Sequence, residues 1–178
     1  MFEPLINCFR IPELRRKIIF TVLMLVLFRL GTYVPIPGVN PAVVSEAAKE
    51  VGAGALGLVD MFAGGALSRC AVFGLGIMPY ISASIILQLL TVAVPHLEKL
   101  KKEGEAGRRK ITQYTRYGTV VLSIIQGFGI SVGLESMAGP TGLSVVLEPG
   151  WSFRIMGVIT LTAGTAFLMW LGETITEK

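Results

Sequence analysis

Residues 57–94 read GLVDMFAGGALSRCAVFGLGIMPYISASIILQLLTVAV, and the fold turns on this stretch. Its first part, 57–68, would reach only about 18 Å as a helix, well short of the roughly 30 Å hydrocarbon layer of a bilayer. Such a segment has to dip in and turn back. Its second part, 70–94, carries no charged residue and is long enough to cross. The stretch therefore pairs a short re-entrant helix with a membrane span interrupted by Pro79.

The rest of the chain fits a membrane setting. Hydrophobic residues make up 52% and charged residues 16%, with a mean hydropathy of +0.67, outside the range of a soluble domain. Uncharged runs at 117–134 and 155–171 suit two more helical spans, and 18–34 suits another, interrupted only by Arg29. Arg29 lies near the end of its run, where it can extend to the interface or face a neighbouring helix. The expected class is thus all-α and integral to the membrane, with four spans near 18–34, 70–94, 117–134 and 155–171. Phe2, Leu5, Ile6 and Phe9 share one helical face, which reads as an N-terminal interfacial helix or, alternatively, a frayed terminus.

Basic residues set the orientation. Arg10, Arg15, Arg16 and Lys17 precede the first span, and Lys178 follows the fourth. Lys99, Lys101, Lys102, Arg108, Arg109, Lys110 and Arg116 lie between the second and third. By the positive-inside rule both termini and a loop over 95–116 are cytoplasmic, and the first span is retained rather than cleaved. The loop can touch nucleic acid, a protein or anionic lipid, or can serve topology alone.

Along 70–94, Ile77, Ile81, Ser84, Gln88 and Thr91 fall within about 80° of one another on a helix. One face thus changes from apolar to polar toward the cytoplasmic side. The wall of a water-filled funnel closing to a hydrophobic neck needs both halves; hydrogen bonding to other helices would also account for the polar half. Pro79 is expected to bend the span by clashing with the Leu75 carbonyl. Gly64, Gly65 and Ala66 supply small backbone for movement or for close packing.

Enzymatic chemistry finds no footing. Gly74 and Gly76 are followed by Pro79 where a dinucleotide fingerprint needs a third glycine, and EGEAGRRK lacks the ending of a phosphate-cradling loop. No acid/base pair or nucleophile with a base can be assembled. His96 stands without a second ligand, so no metal site and no cofactor are expected.

The blocks IPELRRKIIFT, PIPGVN, DMFAGGALSR, GIMPYISASIILQLL, KKEGEAGRRKITQYTRYGT and FLMWLGE, in this order and spacing, resemble the N-terminal portion of the bacterial SecY family. That family supplies the channel-forming subunit of the Sec protein translocase. The resemblance implies a pore ring that includes Ile77 and Ile81. It implies a plug near 57–68 with Asp60, Met61, Phe62, Gly64, Gly65 and Leu67. It also implies a lateral gate to which Ser82, Ile85, Gln88 and Gln126 contribute, and cytoplasmic contacts through Arg108, Arg109 and Lys110. The implied partners are SecE and SecG in the membrane, the SecA ATPase or a ribosome, a translocating polypeptide or signal sequence, and lipid. No covalent chemistry is implied.

The family has ten spans in two inverted halves, and four are offered here, so the resemblance implies part of a subunit that cannot close a pore alone. A competing reading is a compact four-span assembly protein whose packing face is the GxxxG of Gly129 and Gly133. An ion channel or secondary transporter would need buried charges along a path, and only Arg29 is available.

Overall fold

The computed structural model describes residues 12–40, 43–44, 61, 64–66, 68–136 and 144–177. Five helices order these residues: α1 (Pro12–Gly31), α2 (Met78–Ala93), α3 (Pro95–Lys102), α4 (Glu105–Ser136) and α5 (Trp151–Glu177). The expected interfacial helix over 1–11 lies outside the described residues.

The apolar runs at 117–134 and 155–171 sit inside α4 and α5, which are long and apolar enough to cross a membrane. Helices α2 and α3 would add a third crossing only if taken together, and they are bent by 100°. Two sequence expectations fail. The segment 95–116 is not a loop: α3 fills its first part, and α4 starts at Glu105. Good helix formers at Glu105, Ala106, Arg108, Arg109 and Lys110 carry the helix on past the end of the apolar run. The segment 70–94 is not one helix either, because 71–77 runs through turns and α2 begins only at Met78.

Helices α4 and α5 form an antiparallel hairpin held by small side chains. On α4 the buried positions include Thr115, Thr119, Ser123, Gly127 and Ser131, a four-residue repeat that keeps one face inward. A Cβ at Gly127 would meet Leu161 Cβ and Val158 Cα at 3.6 Å, and one at Gly157 would lie 2.5 Å from Ser131 Oγ. Backbones approach this closely only where side chains are small. Among the described residues the GxxxG pair packs against nothing: a Cβ at Gly129 or at Gly133 would have nothing within 4 Å.

Paired charges fasten both ends of the hairpin. Arg116 donates from Nε to Glu173 Oε1 and from Nη2 to Oε2, each at 2.7 Å. At the other end Arg154 reaches Glu135 Oε2 through Nη2 at 2.6 Å and Nε at 2.8 Å, and the Gly150 N–H donates to Glu135 Oε1 at 2.9 Å. Beside this second clamp a cap forms from chain outside the long helices. Ile36, Val39, Val43, Val145 and Val146 bury themselves against Leu75, Leu134, Phe153 and Leu161. Short backbone pairings tie the cap together, at Pro35 with Ala71 and Val39 with Val146.

Candidate functional site

The stretch leading into α2 is irregular, and several of its N–H groups are bonded. Val72 N–H donates to the Val34 carbonyl at 2.9 Å, Ile36 N–H to Cys70 at 2.8 Å, Gly74 N–H to Ala71 at 2.8 Å and Gly76 N–H to Phe73 at 2.8 Å. Ala71, Phe73 and Leu75 are buried. The close approach of Gly164 on α5 to the Val72 carbonyl, and of Gly31 to the Phe73 ring, seats the stretch among its neighbours. Non-helical backbone at membrane depth is tolerated under such cover. Phe73 also stacks between Phe28 and Phe167, with ring centres 5.9 Å from each.

From this covered backbone the chain emerges at Ile77, the residue that precedes α2, 51% exposed. Pro79 lies in the first turn of α2 rather than at a bend within a span. Its missing N–H falls among donors that a helix start leaves unpaired anyway, so the expected clash with the Leu75 carbonyl does not arise. The break in this segment is the turn stretch 71–77, together with the sharp change of direction at Val94.

Helix α2 has a covered side and an open one. Pro79, Ala83 and Thr91 are buried, and a Cβ on Gly118 of α4 would lie 3.6 Å from Ala83 Cβ, which puts that side against α4. Ile77, Ile81 (42% exposed), Ile85 and Leu89 lie on the open side. Gln88 is exposed with them, and its Nε2 donates to Ser84 Oγ at 3.4 Å. Four of the five stripe residues thus stay off the covered side, whereas Thr91 is buried and its hydroxyl donates to the Gln88 carbonyl at 2.6 Å. Thr91 is the residue of the stripe nearest in angle to buried Ala83, so the covered side reaches it. Both polar bonds stay within α2, so among the described residues Ser84 and Gln88 are not bonded to another helix.

Of the other residues singled out by sequence, Ser82 and Gln126 are half-buried and Ile85 is open. Asp60, Phe62 and Leu67 lie outside the described residues. Met61 is helical and 80% exposed. Gly64 and Gly65 form a turn with φ of +64° and +79°, so the helix expected over 57–68 does not run through to its end. Arg29 is not free: its Nη1 donates to the Gly64 carbonyl at 3.1 Å and its Nη2 to Tyr33 Oη at 3.4 Å. Arg108, Arg109 and Lys110 project, exposed, from the first turns of α4.

The two ion-pair clamps are the feature that sequence reasoning missed. A signal existed, since Arg116 to Glu135 and Arg154 to Glu173 are equally spaced in sequence, each about 28 Å along a helix.

A family model described as SecY matches residues 71–178. Protein translocase subunit SecY of Escherichia coli K12 is 54% identical over 166 residues, covering 93% of this chain and 37% of that protein. The protein of the same description in Buchnera aphidicola is 54% identical over 93% of this chain and 46% of its own length. That of Aquifex aeolicus is 49% identical over 100% of this chain and 42% of its own length. The chain spans less than half the length of these curated relatives.

Proposed function

The chain belongs to the SecY family, and from that premise we propose that it forms part of a channel subunit through which unfolded polypeptides cross the bacterial cytoplasmic membrane. The observation that carries the proposal is the open side of α2, where Ile77 and Ile81 stand uncovered just after a buried, broken backbone. A helix side of this kind, polar at Gln88 and Ser84 and apolar at the two isoleucines, suits one wall of a funnel that narrows to a dewetting ring. Ile77 and Ile81 are assigned to that ring.

In this reading four spans cross the membrane. Helix α1 is the first, the 71–77 stretch with α2 the second, and α4 and α5 the third and fourth. The basic residues around the start of α1, and those on α3 and in the first turns of α4, argue for an N-terminus and an α3 on the cytoplasmic side. Residues 57–68, with Asp60, Met61, Phe62, Gly64, Gly65 and Leu67, act as the plug on the outer side. Ser82, Ile85, Gln88 and Gln126 contribute to a lateral gate, through which apolar segments pass into lipid with a gain of roughly 25 cal/mol per Å² of buried apolar area. The expected partners are SecE and SecG, with SecA or a ribosome supplying the driving force and Arg108, Arg109 and Lys110 offering them a positive surface.

The test is conductance. In the complete protein, Ile77→Gly combined with Ile81→Gly widens and wets the neck, and ion leak at rest rises in planar bilayers. A resting conductance equal to the parent's would refute the ring assignment. The compact assembly protein loses ground because its packing motif, Gly129 with Gly133, is unoccupied among the described residues.

A further inference from the structure

Phe73 is the one aromatic residue of the 71–77 stretch, and only 6% of it is exposed. Its ring stacks with Phe28 of α1 and with Phe167 of α5, and the planes differ by only 2° and 8°. Three nearly parallel rings thus link α1, the stretch and α5. A Cβ on Gly31 of α1 would overlap the Phe73 ring, so that glycine provides the notch in which the ring sits. Ala66, Ala71 and Leu168 are buried in the same cluster.

What holds this ring also holds the entry to α2. The Phe73 carbonyl accepts from the Gly76 N–H at 2.8 Å, and Gly76 has φ of +56°. Ile77 follows at once, and its carbonyl accepts the Ile81 N–H at 3.0 Å as the helix begins. A turn built on Gly74 and Gly76 does not hold one geometry by itself, because glycine has the widest choice of backbone conformations. A clasped side chain selects one. Stacked aromatic rings attract with centres about 4.5–7 Å apart, so a Phe73 ring that swings away gives up both partners at once.

We propose that Phe73 is a positioning residue for the neck: clasped by Phe28 and Phe167 and seated in the Gly31 notch, it fixes where Ile77 and Ile81 stand. The inference rests on the channel reading given above and extends it to side chains outside the ring. A displaced Phe73 carries Gly76 with it. The start of α2 then shifts, and the two isoleucines leave the places at which the neck closes.

The experiment uses the complete protein, reconstituted in planar bilayers for conductance and held in mild detergent for its unfolding midpoint. Gly31→Ala drives a carbon into the ring, and Phe73→Leu removes both stacks and leaves the notch unfilled. Each is expected to raise resting conductance several-fold. Gly31→Ala combined with Phe73→Leu is expected to leak less than either alone, because the added carbon fills the space that the smaller side chain vacates. If Gly31→Ala does not assemble, Phe167→Leu, which removes one stack of the two, is expected to leak more than the parent and less than Phe73→Leu. A lowered midpoint at parental conductance in these variants, alongside a leak from the Ile77→Gly and Ile81→Gly pair, makes the stack mere support; it overturns the positioning role and leaves the channel reading intact. A combination that leaks as much as its two single changes together also overturns that role, since the notch and the ring then act independently. If the isoleucine pair does not leak, the channel reading fails and this inference with it.

Discussion

Helices α4 and α5 are fastened to each other along their length and at both ends, whereas α2 touches α4 along one side and has its other side open among the described residues. The hairpin uses a four-residue repeat of small side chains and two Arg–Glu clamps about 28 Å apart. Helix α2 meets α4 through Ala83 and Gly118, and no ion pair joins it to another long helix among the described residues. The difference teaches where rigidity is placed. Helix α2, open along one side, is mounted by its other side on a post clamped at both ends. The post also seats the broken 71–77 stretch, because Gly164 of α5 admits the Val72 carbonyl.

That seat is the most sensitive point of the comparison. Gly164→Ala adds one carbon where the Val72 backbone already lies, and a backbone oxygen cannot swing aside as a side-chain tip would. Alanine is the better helix former by about 0.8–1 kcal/mol, yet the forced shift should outweigh it and leave a net loss of about 1–3 kcal/mol. Unfolding of the complete protein in mild detergent, followed by its midpoint, measures the loss. A stabilised Gly164→Ala would mean that α5 does not support the stretch before α2.

The two clamps sharpen the comparison within the hairpin itself. Glu135 and Arg154 have side chains 9% and 29% exposed, against 23% and 46% for Glu173 and Arg116. The more covered pair also receives the Gly150 N–H, so removing Arg154 strands an acceptor with little access to water. Double-mutant cycles with Arg154→Met and Glu135→Gln should give a larger coupling than cycles with Arg116→Met and Glu173→Gln. The latter is expected near the exposed-pair range of about 0.2–1 kcal/mol. Equal couplings would remove the distinction between the two ends.

Much of the architecture is legible in the sequence because apolar runs report burial in lipid or protein without regard to detail. The runs at 117–134 and 155–171 fall inside α4 and α5 for that reason. What such runs cannot report is backbone conformation, since a buried turn such as 71–77 is as apolar as a buried helix. Pro79 makes a bend only if a helix precedes it, and none does. The opposite error arises at 95–116, where a polar, basic segment reads as loop although its propensities favour helix. The stripe on α2 survives at Ile77, Ile81, Ser84 and Gln88, because side-chain direction follows from position along a helix that does exist there. Arg29 stands out as anomalous in the sequence, but its partner does not, since nothing in local spacing links it to Gly64.

The smallest expected effect lies at the other glycines of α4. Gly129 and Gly133 form the motif that a reader of the sequence would choose as the packing face, while the hairpin actually closes on Gly127 and Ser131. A Cβ at Gly129 meets nothing within 4 Å, and its backbone is helical. Gly129→Ala therefore adds no clash and removes conformational freedom from the unfolded chain, which should leave stability unchanged or raise it by up to about 1 kcal/mol. The same one-carbon change thus takes opposite signs at two glycines, according to whether a neighbouring backbone occupies the space. A loss at Gly129 comparable to that at Gly164 would show that a further helix packs on this face, and would shift the post's closely packed side away from α5.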